Sequence, residues 1–432
     1  MTKAELLAQL QDRHTDARTF CDWHPQSDET VYALRIADCC DRLRLMYFGN
    51  LHQDWSEFVL AELGVYQYEK VAFSAASRGF QTRRDIDDYL LLFRCRERLY
   101  TEPADVTVLA EIAAAISRTP YVNPWIEQRR GRLLYQLGRE YERLQQWDAA
   151  EQAYAASCEP DACVRSVRVL ELSGRHADAH AAADALFAAT CDAAQQQQLA
   201  RMLPRLCRRV GKPAPVAGTA LPVPELRLCL PAPDDDVSVE MVVRDHLHAD
   251  DAPAWYVENT LFNSLFGLLC WDAVFAAIPG AFFHPYQSGP ADLSAADFHA
   301  RRRRQFEACL AQLSSGSYRD TILRHYAEKS GLLSPFVFWG ALSEELLAHA
   351  LDCLPASHLQ AIFVRMLADI RNNCAGLPDL IQFWPREARY EMTEVKGPGD
   401  RLQDNQKRWL QYCIAHGMPV RVCYVDWREA LA

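Results

Sequence analysis

The 432-residue chain has no apolar run as long as the roughly eighteen residues that a membrane-spanning helix needs. Its first residues, Met-Thr-Lys-Ala-Glu, also lack the apolar segment of a secretory signal. We therefore expect a soluble, intracellular protein, in the cytoplasm or nucleoid if its source is bacterial.

Paired cysteine motifs are missing as well. The fifteen cysteines are scattered, without the paired C-x-x-C motifs that hold zinc. An odd number of cysteines in a long chain favours reduced thiols, most of them buried as small apolar side chains.

An excess of positive charge is also absent, since 46 basic residues face 57 acidic ones and the net charge is −11. This argues mildly against a nucleic-acid partner. Phosphate binding depends, however, on where basic residues cluster, and the arginines do cluster. The clusters are Arg94, Arg96 and Arg98; Arg129, Arg130 and Arg132; Arg201, Arg205, Arg208 and Arg209; and 301–304. Each cluster alone is typical of a solvated helix face, but together they could form a segmented basic track.

The length predicts two to three domains. Six prolines between residues 211 and 236, none of them inside a helical pattern, predict a domain boundary. We place an N-terminal helical region at 1–100, a helical domain at 101–212 and a C-terminal domain at 213–432. Near the start, Ala4 to Leu10 has helical spacing and is compatible with part of a SAP-type DNA-binding motif.

The middle of the chain carries a helical-repeat pattern. The spacing of Leu134, Gly138, Tyr141 and Tyr154 fits one tetratricopeptide unit, in which the glycine lets paired helices approach. A scaffold that spaces the other domains is the favoured interpretation, and a surface that senses a partner or the shape of DNA is the alternative.

A mostly apolar stretch from about Val257 to Ala277 predicts a buried helix with Glu258 and Asp272 on one stripe. A buried carboxylate needs a partner, and a metal ion is one candidate. From spacing alone, a role for Glu258 at the helix N-terminus is favoured over metal binding. We expect Asp272 to pair with an arginine.

Two apolar runs after Gly376 predict a β-hairpin. The first opens with Asp379 and the second ends in Glu394-Val395-Lys396, so the period of two puts Glu394 and Lys396 on one face. An isolated Glu-x-Lys is usually a solvated surface pair. Pro378-Asp379 before one strand and Glu-x-Lys after the next form a rarer conjunction, typical of a metal-dependent phosphodiesterase that holds Mg²⁺ or Mn²⁺ with carboxylates.

The residues around the hairpin support this interpretation. The helix from Leu359 to Arg371 brings Arg371 near the hairpin, where it could take a substrate phosphate. Asp400 is predicted to cap the following helix. Gln406 is the polar member of that helix's apolar stripe, and we predict that it orients the lysine or a water, with a packed amide as the equal alternative. A strand at 420–425 completes an α/β core.

These motifs resemble the VRR-NUC branch of the PD-(D/E)xK nucleases, and most closely the Fanconi-associated nuclease family. Gly-Leu-Pro-Asp, Glu-Val-Lys-Gly-Pro-Gly-Asp and Gln-x-x-Trp-Leu carry the resemblance. It implies an N-terminal DNA-binding region, tetratricopeptide-like repeats and a VRR-NUC nuclease domain. By the same resemblance, the metal ligands are Glu258, Asp379, Glu394 and the carbonyl of Val395, Lys396 is the catalytic lysine, and Arg371 and Arg401 bind a 5′ phosphate. Cys374 and Asn405 depart from the family by standing where basic residues are expected.

The implied function is a structure-selective nuclease with 5′ flap endonuclease and 5′ to 3′ exonuclease activity on branched or flapped DNA, in interstrand-crosslink repair. Mg²⁺ or Mn²⁺ would be its cofactor, and the helical repeats could hold a protein partner. A Holliday-junction resolvase and a non-catalytic repair scaffold are the alternatives.

Overall fold

The computed structural model describes residues 13, 18–30, 32, 35–103, 105–214, 220–233 and 237–428. The predicted helix from Ala4 to Leu10, and with it the SAP-like motif, lies outside these residues. All fifteen cysteines are free thiols. Among the helices that the structure describes, none is long and apolar enough to cross a membrane.

The described residues before 211 form helices. They are α1 (Phe20–Trp23), α2 (Ala37–Phe48), α3 (Ser56–Glu62), α4 (Arg83–Thr101), α5 (Val106–Ala115), α6 (Pro124–Arg143), α7 (Trp147–Ala155), α8 (Ala162–Leu172), α9 (His176–Ala189) and α10 (Ala193–Val210), with a 3-10 turn at Ala75–Ser77. Helices α6 and α7 form the pair predicted from the repeat pattern. A Cβ on Gly138 would meet the Tyr154 ring at 2.7 Å, so glycine is required where these two helices touch.

The C-terminal half contains one mixed sheet in the order β1-β5-β4-β3-β2. The strands are β1 (Glu225–Pro231), β2 (Ala254–Tyr256), β3 (Leu380–Trp384), β4 (Arg389–Lys396) and β5 (Val420–Arg428). Strands β3 and β4 pair antiparallel, which confirms the predicted hairpin, and β5 runs parallel to both β4 and β1. The proline-rich stretch is therefore more than a connector, because its second half supplies an edge strand. Proline is tolerated there since an edge strand leaves backbone donors unused.

Helices cover both faces of this sheet. They are α11 (Val239–Leu247), α12 (Leu261–Leu269), α13 (Trp271–Val274), α14 (Phe298–Arg301), α15 (Arg303–Ser315), α16 (Tyr318–Glu328), α17 (Glu344–Cys353), α18 (Ala356–Ala368), α19 (Ile370–Asn373) and α20 (Asp404–Ala415), and a 3-10 turn at Pro385–Glu387 joins β3 to β4. Ile381 and Phe383 of β3 face the large core built on α12, whereas Leu380 faces a smaller core with Val243 of α11. Strands buried on both sides explain the continuous apolar runs in the sequence.

The predicted helix from Val257 to Ala277 is wrong in its bounds. Asn259 has a backbone φ of +50°, a left-handed conformation that no α-helix contains, so α12 begins only at Leu261 and ends before Cys270. All nine residues of α12 are buried, as predicted. Asp272 is exposed and lies 4.0 Å from His325, and it forms no ion pair with an arginine among the described residues, contrary to expectation.

Candidate active site

The loop before β3 is fixed by a glycine. Gly376 has a φ of +87°, and a Cβ there would meet the Asn405 amide nitrogen at 2.6 Å, so both conformation and space require glycine. Its N–H donates to Asn259 Oδ1 at 2.9 Å. The turn that leads into Asp379 is thereby tied to the segment before α12.

Three further hydrogen bonds hold this loop and the segment before α12 together. The buried Asn263 donates from Nδ2 to the Cys374 carbonyl at 2.9 Å and to the Asn259 carbonyl at 2.7 Å. The Val257 N–H donates to the Asp379 carbonyl at 2.8 Å. Sequence reasoning missed Asn259 and Asn263 as positioning residues. The signal for Asn263 was an amide inside an otherwise apolar helix, because a buried amide must find partners.

Asp379, Glu394 and Lys396 come together at the end of the hairpin, as predicted. The Val395 N–H donates to Asp379 Oδ2 at 2.7 Å, which orients that carboxylate toward β4. Lys396 Nζ lies 2.8 Å from Glu394 Oε1. All three side chains are buried, with Glu394 fully so. Two acids and one ammonium thus share one water-poor position.

Burial changes how these groups titrate. It is the largest cause that raises the pKa of Glu394 to about 8, and the negative charge of Asp379 adds to it, while Lys396 opposes it. Burial likewise raises the pKa of Asp379 to about 6, against the Val395 hydrogen bond and Lys396, which lower it. Burial lowers the pKa of Lys396, but its attraction to Glu394 and Asp379 outweighs this, so its pKa is raised. Near neutral pH the carboxyl pair therefore holds a proton beside a charged lysine.

The Glu394 carboxylate lacks hydrogen bonds. Both of its oxygens are buried, and neither accepts a hydrogen bond from any group in the described ranges. The Lys396 ammonium forms an ion pair with Oε1 and leaves the carboxylate's other buried lone pairs without a partner. An unsatisfied buried carboxylate is costly, and a divalent cation would satisfy it. The residues present therefore fit a hard metal ion bound by oxygen ligands.

Glu258 occupies a different setting from the predicted one. It lies in the turn between β2 and α12, is exposed, and accepts a hydrogen bond from the Tyr256 hydroxyl at 2.5 Å. Its charge is near enough to raise the pKa of Asp379 further. Over the residues that the structure covers, no three His, Cys, Asp or Glu side chains group closely enough to hold a metal ion. The role of Glu258 as a ligand stays a prediction, as does that of the Val395 carbonyl.

The helix after the hairpin begins later than predicted. Its N-cap is Gln403 rather than Asp400, whose carboxylate instead accepts a hydrogen bond from the Gly397 N–H at 3.1 Å. Gln406 Oε1 accepts from the Gln403 N–H at 2.8 Å and completes the capping box. In this conformation its amide oxygen serves the helix end, so its predicted role toward Lys396 is not visible.

The two predicted phosphate-binding arginines lie apart from the buried acids. Arg371 is in α19 and contacts Glu159 at 3.3 Å, beside a cavity of about 360 Å³ between the α6–α8 helices and the segments around α14 and α19. Arg401 is exposed in the loop before α20. Burial raises the pKa of the Cys374 thiol to about 12, so this residue stays neutral where a basic side chain was expected.

Comparison with protein families identifies a VRR-NUC domain over residues 313–427. This range contains the hairpin, α20 and most of β5.

Comparison with individual proteins extends the similarity over nearly the whole chain. The chain is 54% identical over 428 residues to the Fanconi-associated nuclease 1 homolog of Pseudomonas aeruginosa, which covers 99% of this chain and 76% of that protein. It is 36% identical over 173 residues to Fanconi-associated nuclease 1 of Danio rerio, covering 39% of this chain and 18% of that protein.

Two solved structures have the same fold. The crystal structure of paFAN1 bound to 2nt 5′ flap DNA with gap matches with a TM-score of 0.90 at 54% identity, covering 100% of this chain and 78% of that chain. The structure of paFAN1 bound to 1nt 5′ flap DNA with gap matches with a TM-score of 0.88 and covers 79% of that chain.

Proposed function

The chain belongs to the Fanconi-associated nuclease family, and from this premise we propose that it is a structure-selective DNA nuclease that hydrolyses phosphodiester bonds with a divalent metal ion. We propose further that it is a 5′ flap endonuclease and 5′ to 3′ exonuclease, that its metal is Mg²⁺ or Mn²⁺, and that it serves interstrand-crosslink repair. Two related structures that hold 5′ flap DNA favour this substrate over a Holliday junction.

The buried trio of Asp379, Glu394 and Lys396 carries the proposal. A protein gains no stability from placing a buried carboxylate without a hydrogen-bond donor, Glu394, beside a second acid, so such an arrangement points to a functional site. The second candidate function, a non-catalytic scaffold, does not explain why these acids are buried together.

The ion would be held by the carboxylates of Asp379, Glu394 and Glu258 and by the Val395 carbonyl. When bound, the ion lowers the pKa of a water that attacks phosphorus and offsets charge on the phosphoryl oxygens. Hard oxygen ligands suit Mg²⁺ and Mn²⁺ better than softer metals.

The chain's own groups supply orientation and charge. The Val395 N–H aims the Asp379 carboxylate, and Lys396 presents an ammonium that can hold the attacking water or the scissile phosphate. The Asn259 and Asn263 hydrogen bonds keep the Asp379 loop in place, so the acids need little rearrangement during the reaction.

Arg371 and Arg401 are the proposed groups for a 5′ phosphate. Arg371 is engaged by Glu159, so a phosphate has to compete with a carboxylate for this guanidinium. This predicts weaker use of a 5′ phosphate than a free arginine would give.

Cleavage of labelled 5′ flap DNA by Glu394→Gln tests the proposal. The substitution keeps shape and removes the charge, so we expect a loss of at least about a hundredfold in rate. Glu391→Gln is the matched control on the same strand, because Glu391 pairs with Arg421 at 2.9 Å, away from the trio. Cleavage by Glu394→Gln at the rate of Glu391→Gln would reject the assigned site.

A further inference from the structure

Most arginines of α4 and α6 form ion pairs with carboxylates. These ion pairs include Arg94 with Asp38, Arg98 with Glu102, Arg130 with Glu127, Arg132 with Glu159 and Arg143 with Glu140. Arg96 and Arg129 differ, because they contact aromatic rings and no acid or hydrogen-bond acceptor among the described residues engages either of them. Two cations on neighbouring helices thus lack the anion that their neighbours have.

Arg129 is held between two aromatic rings. Its guanidinium lies 4.2 Å from the centre of the Tyr89 ring and 4.4 Å from that of Trp125, which fixes its position through cation–π contacts. Its Nε is buried and has no acceptor. Burial is the main cause that lowers the pKa of Arg129 to about 10. Tyr89 opposes this change, and the charges of Arg132 and Arg96 add to it. The group therefore stays charged at neutral pH. The guanidinium is thus fixed and charged, and its terminal nitrogens are the donors that an anion in the adjoining cavity could reach.

Arg96 and Arg129 line a common cavity of about 500 Å³. It lies where α4 and α6 meet the α2–α3 segment and the loop before α14. Glu57 also lines it, but its carboxylate accepts a hydrogen bond from Gln53 at 3.1 Å and pairs with neither arginine. Burial, Arg129 and Arg96 together lower the pKa of His52, which leaves that ring neutral. The cavity therefore carries net positive charge although the whole chain is acidic.

We propose that Arg96 and Arg129 form a phosphate-binding site for the backbone of the DNA substrate, separate from the buried acids. This inference rests on the proposed nuclease function for the identity of its ligand. The chemistry is that of a phosphodiester anion, which a guanidinium binds with two parallel hydrogen bonds. Contacts of this kind fix the position of a duplex and read no base sequence. The site would hold part of the substrate while cleavage takes place elsewhere.

The test is the binding of fluorescent 5′ flap DNA to the full chain in EDTA, by anisotropy over a series of KCl concentrations. The test variant is Arg96→Gln with Arg129→Gln. The control is Arg98→Gln with Arg143→Gln, which takes one arginine from each of the same two helices and makes the same change in net charge. Arg96→Gln alone is included because Arg96 is exposed and its loss leaves the Arg129 packing intact.

We expect the test variant to bind about tenfold more weakly, with a salt slope reduced by about one for each lost phosphate contact. Arg96→Gln alone should show about half of that reduction in the salt slope. The control should bind as the wild type does. Equal binding by test variant and control overturns the inference. So does binding of free pyrophosphate at the arginines together with unchanged DNA binding, since that identifies a small-molecule site.

Failure of the proposed function gives a different result. A wild type that binds flap DNA in EDTA but does not cleave it with Mg²⁺ or Mn²⁺ contradicts the nuclease proposal, while loss of binding in the test variant still supports the arginine site. A folded Arg96→Gln protein, checked by thermal unfolding, that binds as tightly as the wild type contradicts the arginine site alone.

Discussion

Replacing Glu394 by glutamine should make the metal-free protein more stable at alkaline pH. With both carboxylates ionised, the trio of Asp379, Glu394 and Lys396 places a net negative charge in a buried position. Glutamine keeps the shape and removes that excess charge, leaving Asp379 paired with Lys396. We therefore expect a residue proposed to act in cleavage to be unfavourable for folding.

The magnitude follows from the pKa of Glu394, which is raised from 4.5 to about 8 in the folded protein. Because the folded state keeps a proton that the unfolded chain releases, stability falls as pH rises from 4.5 to about 8. At about 1.4 kcal/mol for each pKa unit, the full effect is on the order of 5 kcal/mol. Lys396 loses a partner in the variant, so a net gain of about 2 to 3 kcal/mol is expected above pH 8.

The assay is unfolding of wild type and variant in EDTA, at about pH 5 and about pH 8.5. The gain should be large at the higher pH and small at the lower, which lies only about half a unit above the unfolded pKa of 4.5, so that little of the effect has developed there. Glu391→Gln should show no gain at either pH, since it removes one partner of a partly exposed ion pair worth about 1 kcal/mol or less. An equal gain at both pH values, or a loss at the higher one, would refute the reasoning.

Three further predictions follow from the same geometry. Because the carboxyl pair holds a proton near neutral pH, the affinity for Mn²⁺ should rise about tenfold per pH unit between pH 6 and 8 and level off above pH 8. Calorimetry in buffers of different ionisation enthalpy measures the proton release, and an affinity that does not change with pH would contradict this prediction. Lys396→Met should slow single-turnover cleavage about a hundredfold or more, while the affinity for DNA in EDTA should change less than about twofold. A variant that changes only the affinity for DNA would assign the lysine another role. Gly376→Ala should lower the free energy of unfolding by about 2 to 4 kcal/mol, measured by denaturant unfolding. Gly399→Ala is the control, because Gly399 has a similar φ of +86° but open space around it, and it should lower the same free energy by about 1 to 2 kcal/mol. Equal losses would mean that the Asn405 contact is unimportant.

The part of the site that lies on the hairpin could be predicted from the sequence. Alternation along a strand is a local property, so the shared face of Glu394 and Lys396 follows from their spacing of two. The turn at Pro385 and the acid at the start of β3 are local signals as well. Ser343 caps helix α17 by accepting a hydrogen bond from the Leu346 N–H, and a capping residue is a local signal too.

Contacts between distant segments could not be predicted. Strand β2 has three residues and its register depends on β3, and β1 lies in a stretch whose prolines indicate a connector. The apolar run around α12 hides the point where the helix begins, because a left-handed Asn259 is determined by its bond to Gly376. Asp400 and Gln403 are both able to cap a helix, and the Gly397 contact of Asp400 decides between them.

Anomalous diffraction from crystals soaked in Mn²⁺ tests most directly whether the two buried acids bind the metal ion used in catalysis. The account predicts one strong peak in contact with both Asp379 and Glu394, and its absence from Glu394→Gln crystals. A protein that cleaves 5′ flap DNA with Mn²⁺ yet shows no peak there, or shows its peak at other residues, would contradict it.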